Sequence, residues 1–110
     1  MQEERQTILI VDDVELNRAI LHMVFEEEFE ILEAENGAEA LSAIDAHPSG
    51  LAAVLLDVVM PVMDGFQVLE ELGKRGLLEQ LPVFLITAEN DPNVLKRGYD
   101  LGAVDIIEKP

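Results

Sequence analysis

Short, nearly unbroken apolar runs alternate along this chain with longer stretches in which apolar residues recur every three or four positions. The runs Ile8-Leu9-Ile10-Val11, Ala53-Val54-Leu55-Leu56 and Val83-Phe84-Leu85-Ile86 contain no polar residue. A strand with one wet face would alternate, so these runs read as strands buried on both faces. The predicted strands are Thr7–Val11, Glu30–Ala34, Ala53–Leu56, Val83–Ile86 and Val104–Ile107. Helices are predicted between them, from Glu15 to about Glu27 and over Ala38–Ala46, Phe66–Arg75 and Pro92–Leu101. In the first, Leu16, Ile20, Met23 and Val24 form the expected core stripe, and Asp13 is placed to cap it. The second follows an Asn36-Gly37 turn, and the third is expected to stop at Gly76. The fourth opens on Pro92 but contains Gly98, which costs about 1 kcal/mol against alanine and marks it as the least secure.

Strands alternating with helices predict an α/β fold, a doubly wound, five-stranded parallel sheet with helices on both faces. Right-handed crossovers place the first helix on one face and the other three on the opposite one. One face is then under-covered, and a further helix after Pro110, or a partner, is expected to bury it. At 110 residues the chain is one domain.

Composition narrows the function. Hydrophobic residues are 49% of the chain, too many for an acidic disordered tail, yet no apolar run approaches the roughly 20 residues of a membrane span. The opening Met1-Gln2-Glu3-Glu4-Arg5-Gln6 has no basic segment leading into an apolar one, as a secretory signal would. Asp and Glu number 23 against 7 Lys and Arg, a net charge of −16 that disfavours contact with nucleic acid or anionic lipid. With no cysteine, the chain suits a reducing cytoplasm.

The chemistry lies where polar residues interrupt the strands. Strand 1 ends in Asp12-Asp13, strand 3 in Asp57 and strand 4 in Thr87, while strand 5 leads to Lys109-Pro110. In open parallel sheets the carboxyl edge forms the ligand crevice. If strands 1 and 3 are neighbours, three carboxylates converge there, and such a cluster needs cations. Mg²⁺, which takes hard oxygen ligands beside phosphate, is the natural candidate. With Lys109 as a charge clamp and Thr87 as a donor, these are the parts of a phosphoryl-transfer site. His22 and His47 lie at no strand end and read as surface residues, and Glu26-Glu27-Glu28 as a solvated helix end that opposes the dipole.

At these residues the chain resembles the receiver domain of two-component response regulators. The motifs are Ile8-Leu9-Ile10-Val11-Asp12-Asp13, then Leu56-Asp57-Val58-Val59-Met60-Pro61-Val62-Met63-Asp64-Gly65, Ile86-Thr87-Ala88, and Gly102-Ala103-Val104-Asp105-Ile106-Ile107-Glu108-Lys109-Pro110. The resemblance implies a flavodoxin-like strand order 2-1-3-4-5 and a phosphoacceptor role for Asp57, the donor being a histidine kinase or phosphotransfer protein. It implies Mg²⁺ held by Asp13, by Asp12 largely through water, by Asp57 and by the Val59 carbonyl. Lys109 would pair with a carboxylate or phosphoryl oxygen, with its preceding strand and Pro110 fixing its reach through a cis bond. Thr87 would bind the phosphoryl group and move the loop before helix 4, so that the helix 4/strand 5 face reports the change to an output module or a dimer partner.

Two departures stand out. Ile106 occupies a position usually aromatic, and Val59 and Glu89 flank the phosphorylation site where lifetime is tuned. Two other readings compete. A Mg²⁺-dependent phosphohydrolase would want a second Asp two residues after the nucleophile, where Val59 stands. A docking module working without phosphorylation would not need the full set Asp12, Asp13, Asp57, Thr87 and Lys109.

Overall fold

Parallel pairing of the buried apolar runs builds the sheet. The computed structural model describes residues 5–47, 50–88 and 91–109. In chain order the elements are β1 (Thr7–Val11), α1 (Glu15–Phe25), β2 (Glu30–Ala34), α2 (Gly37–Asp45), β3 (Leu51–Asp57), α3 (Gly65–Lys74), β4 (Val83–Thr87), α4 (Pro92–Asp100) and β5 (Asp105–Glu108). The five strands lie in the order β2-β1-β3-β4-β5, all parallel. Val11 pairs with both Ala34 and Leu56, Asp57 with Ile86, and Thr87 with Glu108. The polar strand ends are thereby brought to one edge.

Side-chain alternation divides the core in two. Leu9, Val11, Val54, Leu56, Val83 and Leu85 point to the face covered by α2, α3 and α4, meeting Leu41, Ile44, Phe66, Leu69, Leu72 and Val94. Ile8, Ile10, Leu55 and Ile86 point the other way, toward Leu21 and Phe25 of α1. As expected, this second face is the less covered: Phe84 is half-buried and Ile107 is 45% exposed.

Helix α1 departs from its sequence reading. The stripe expected to be core faces solvent, with Leu16 67%, Ile20 50%, Met23 72% and Val24 64% exposed. The inward side instead carries Arg18, Leu21 and Phe25. Nor is Asp13 the cap: Val14 holds the N-cap position without a side-chain cap bond, and Asp12 Oδ1 accepts from the Val14 N–H at 2.9 Å. That short turn, with Arg18 reaching back to the Asp12 carbonyl at 2.7 Å, sets the rotation of the helix. The helix ends two residues early, and Arg5 donates to the carbonyls of Glu26 (2.7 Å) and Glu27 (3.3 Å), offsetting the acidic end.

The other helices start on side-chain caps. Asn36 accepts from the Glu39 N–H, Asp64 and Gln67 form a reciprocal capping box, and Asp91 accepts from Asn93 ahead of Pro92. Gly76, at φ +70°, stops α3 as expected. Gly98 is a seat for the sheet: a Cβ there would lie 2.7 Å from Ile106 Cδ1 and 2.8 Å from Leu85 Cδ1. Ile106 thus fills the notch that lets α4 lie close on the sheet.

Two glycines of α3 are expected to respond oppositely to alanine. At Gly65 a Cβ would meet the Asp57 carbonyl at 2.5 Å and Val58 Cα at 3.0 Å, both rigid backbone. Gly65→Ala should cost about 1–3 kcal/mol in urea unfolding. At Gly73 the nearest atom is Leu78 Cδ1 at 3.6 Å, ordinary contact, so Gly73→Ala should gain about 0.5–1 kcal/mol.

Candidate functional site

Strands β1 and β3, paired in register, deliver Asp12 and Asp57 side by side at the carboxyl edge, with Asp13 one residue on. Oxygens from the three carboxylates lie within 4.8 Å of one another. Asp12 and Asp57 are buried and Asp13 is exposed, so the cluster has a closed floor and an open mouth. Lys109, just past β5, places Nζ 3.2 Å from Asp57 Oδ1 and 3.4 Å from Asp12 Oδ2. Its position is fixed by its own backbone N–H, which donates to the Thr87 carbonyl at 2.7 Å. Thr87 is itself buried, at the end of β4. Val59 is 66% exposed in the loop after β3, and its backbone N–H donates to Asp57. Glu89 and Pro110 lie outside the described residues, and so does the bond joining Pro110 to Lys109.

That loop is tightly folded. Val62 sits at φ +70°, and the Met63 N–H donates to the Pro61 carbonyl at 2.7 Å, a turn of three residues. A β-branched residue in this left-handed region is strained. The chain then returns, the Gly65 N–H donating to the Val58 carbonyl at 2.9 Å. Since no Cβ fits at Gly65 against the Asp57 carbonyl, glycine there lets α3 start directly behind the acid.

Electrostatically the pocket is under-neutralised. Burial raises Asp57 above the usual aspartate range, the Asp12 charge adds to this, and Lys109 and the Val59 N–H only partly oppose it. Lys109 is pulled down by its own burial, but Asp57 and Asp12 outweigh that and leave it raised, so it stays a cation. Three hard oxygen donors around one lysine suit a small divalent cation, and Mg²⁺ fits that donor set.

Two further residues touch the site and were missed in the sequence. Asn17 donates to Asp12 Oδ2 at 3.3 Å, and Arg18 donates to the Asp12 carbonyl at 2.7 Å. The signal was the spacing of Arg18, Leu21 and Phe25 at three and four residues, passed over because its first member is charged. The histidines are peripheral, as expected. His22 Nδ1 lies 2.8 Å from Glu33, and His47 Nδ1 lies 2.8 Å from the Ala43 carbonyl. Among the described residues no helix is long and apolar enough to cross a membrane.

Comparison with known proteins agrees with this geometry. The response regulator receiver domain family matches residues 8–110. Over 104 residues the chain is 38% identical to a probable cyclic di-GMP phosphodiesterase of Vibrio cholerae, covering 94% of this chain and 23% of that protein. It is 41% identical to the transcriptional regulatory protein SrrA of Staphylococcus aureus, covering 94% and 41%. The chain therefore spans less than half the length of these relatives. In structure it is similar to the CheX-CheY-BeF3-Mg²⁺ complex from Borrelia burgdorferi, with a TM-score of 0.85, 29% identity, and coverage of 96% of this chain and 78% of that one. With this sheet order, and with its acids gathered at the carboxyl edge, the chain belongs to the response regulator receiver domain family.

Proposed function

We propose that this domain is the phosphoacceptor switch of a two-component system and that Asp57 is its acceptor. The observation carrying this reading is the convergence of Asp12, Asp13 and Asp57 within 4.8 Å, with Lys109 3.2 Å from Asp57. A carboxylate oxygen of Asp57 bonds to phosphorus as the bond from phosphorus to the nitrogen of a donor phosphohistidine breaks, and the leaving imidazole takes up a proton. The donor is a histidine kinase or a phosphotransfer protein. Lys109 holds a phosphoryl oxygen, and the Thr87 hydroxyl binds another and draws on the loop before α4.

Mg²⁺ would be held by Asp13, by Asp12 largely through water, by Asp57 and by the Val59 carbonyl, and it supplies charge neutralisation to the transferring group. The similarity to the Borrelia burgdorferi CheX-CheY-BeF3-Mg²⁺ complex supports Mg²⁺ as the cation. The α4/β5 face reports the event, through Ile106 in its Gly98 notch rather than through an aromatic ring. Turnover is limited to the domain's own phosphorylation and dephosphorylation, since Val59 stands where a phosphohydrolase wants a second acid. The domain works in the cytoplasm, ahead of an output module or effector. Its open face, at Phe84 and Ile107, takes a further helix or a partner, and that face or α4/β5 serves any dimer.

With Mg²⁺ and a small phosphodonor, intact mass should rise by one phosphoryl group, and Asp57→Asn should abolish the gain. An unchanged mass under conditions that label a control receiver would overturn the proposal. Stability gives a second check. Because Asp57 is raised in the folded state, its proton stabilises the fold at low pH, and that contribution is lost as pH rises through the folded value. Asp57→Asn should therefore raise the melting temperature of the metal-free protein at pH 7, on the order of 4 °C. The advantage should fade as pH falls through the folded value and vanish below pH 3.8, the ordinary value, where Asp57 is protonated folded and unfolded alike.

A further inference from the structure

Arg18 is the one basic side chain that is buried among the described residues, and no step of the proposed phosphoryl transfer uses it. Its guanidinium spans two elements. Nη1 donates to the Asp12 carbonyl at 2.7 Å, Nε donates to Glu33 Oε1 at 3.1 Å, and Nη2 lies 3.7 Å from Glu35 Oε1. Glu33 is braced in turn by His22 at 2.8 Å, and His22 Nε2 lies 3.6 Å from Glu26. This chain of charges starts on the main chain of a pocket acid, passes through Glu33 on the edge strand β2 and returns to the end of α1.

Asp12 is consequently held at every polar atom. Its backbone N–H donates to the Ala34 carbonyl at 3.1 Å, Oδ1 takes the Val14 N–H, Oδ2 takes Asn17 and lies 3.4 Å from Lys109, and its carbonyl takes Arg18. A neutral amide or hydroxyl in place of Arg18 could satisfy that carbonyl; it could not also tie it to Glu33 of β2 and to Glu35 just past that strand. We infer that Arg18 is a positioning residue for the cation pocket, clamping the Asp12 main chain to β2 so that the Asp12 carboxylate stays set toward Asp13 and Asp57. The inference rests on the metal pocket of the proposed function and adds to it a support outside the ligand set.

The test is the Mg²⁺ dissociation constant of the chain, measured by calorimetric titration in buffered salt with no phosphodonor, alongside thermal melts. Arg18→Met keeps the apolar stem and removes every donor; it should weaken Mg²⁺ binding about tenfold, the usual scale for loss of a ligand's supporting partner. Arg18→Lys keeps the charge but cannot fork between a carbonyl and Glu33, so its affinity should fall between those of Arg18→Met and the parent. A residue that merely holds the fold would lower the melting temperature and leave the affinity of the folded protein unchanged. Parent-like Mg²⁺ affinity in Arg18→Met overturns the role. If that variant does not fold, parent-like affinity in Arg18→Lys overturns it. A parent that binds no Mg²⁺ overturns the metal site of the proposed function as well, whereas a parent that binds alongside unaffected variants overturns only the clamp.

Discussion

Asp12 and Asp57 are buried side by side with one lysine between them, and the surrounding structure is organised by what that costs. A carboxylate taken out of water without compensation is destabilising by several kcal/mol, and a second one beside it makes matters worse. Compensation comes from donors that the fold puts in reach: the Val14 N–H and Asn17 for Asp12, the Val59 N–H for Asp57, and Lys109 for both. These donors come from three places that meet at the same edge: the start of α1, the loop after β3 and the residue after β5. The parallel register of β1, β3, β4 and β5 is therefore what makes the pocket tolerable. The neutralisation is also incomplete, since Asp57 remains raised. A site left short of positive charge is suited to take up a cation.

Close approach of backbone does the rest. Gly65 lets α3 begin against the Asp57 carbonyl, and the strained turn at Val62 brings the chain round quickly enough for that helix to start there. On the other side of the sheet edge, Gly98 allows α4 to sit on Ile106 and Leu85. At the carboxyl edge, strain and close approach are gathered in the turn and helix start next to the acids, at Val62 and Gly65. That is the distribution expected where geometry is held for chemistry and not for stability.

Much of this was legible in the sequence, for reasons that differ by element. Ile8–Val11 and Val83–Ile86 announce buried strands because a sheet covered on both faces tolerates no polar residue in between. Asp12, Asp57, Thr87 and Lys109 could be read because a polar residue ending an apolar run marks the crevice edge. Helix α1 was misread because it carries two apolar stripes, and periodicity alone does not say which one the sheet receives. The choice was made by contacts that sequence spacing does not display, the Asp12 turn at Val14 and the reach of Arg18 to a main-chain carbonyl. The close packing at Gly98 was not legible because propensity counts backbone entropy and ignores how near the next layer lies.

The two edge strands carry one more consequence. β2 presents Glu30 and Glu33 along its length, and β5 presents Asp105 and Glu108, with all four exposed. An open edge is a row of unpaired backbone groups that another strand can extend, and neighbouring molecules in a crowded solution are the usual source of one. Here a copy approaching edge to edge would meet acidic side chains at either edge, although Glu30 and Glu33 are themselves paired with Arg5 and Arg18. The acidity of this chain is in that sense placed as well as abundant: on the edge strands it works against extension of the five-stranded sheet.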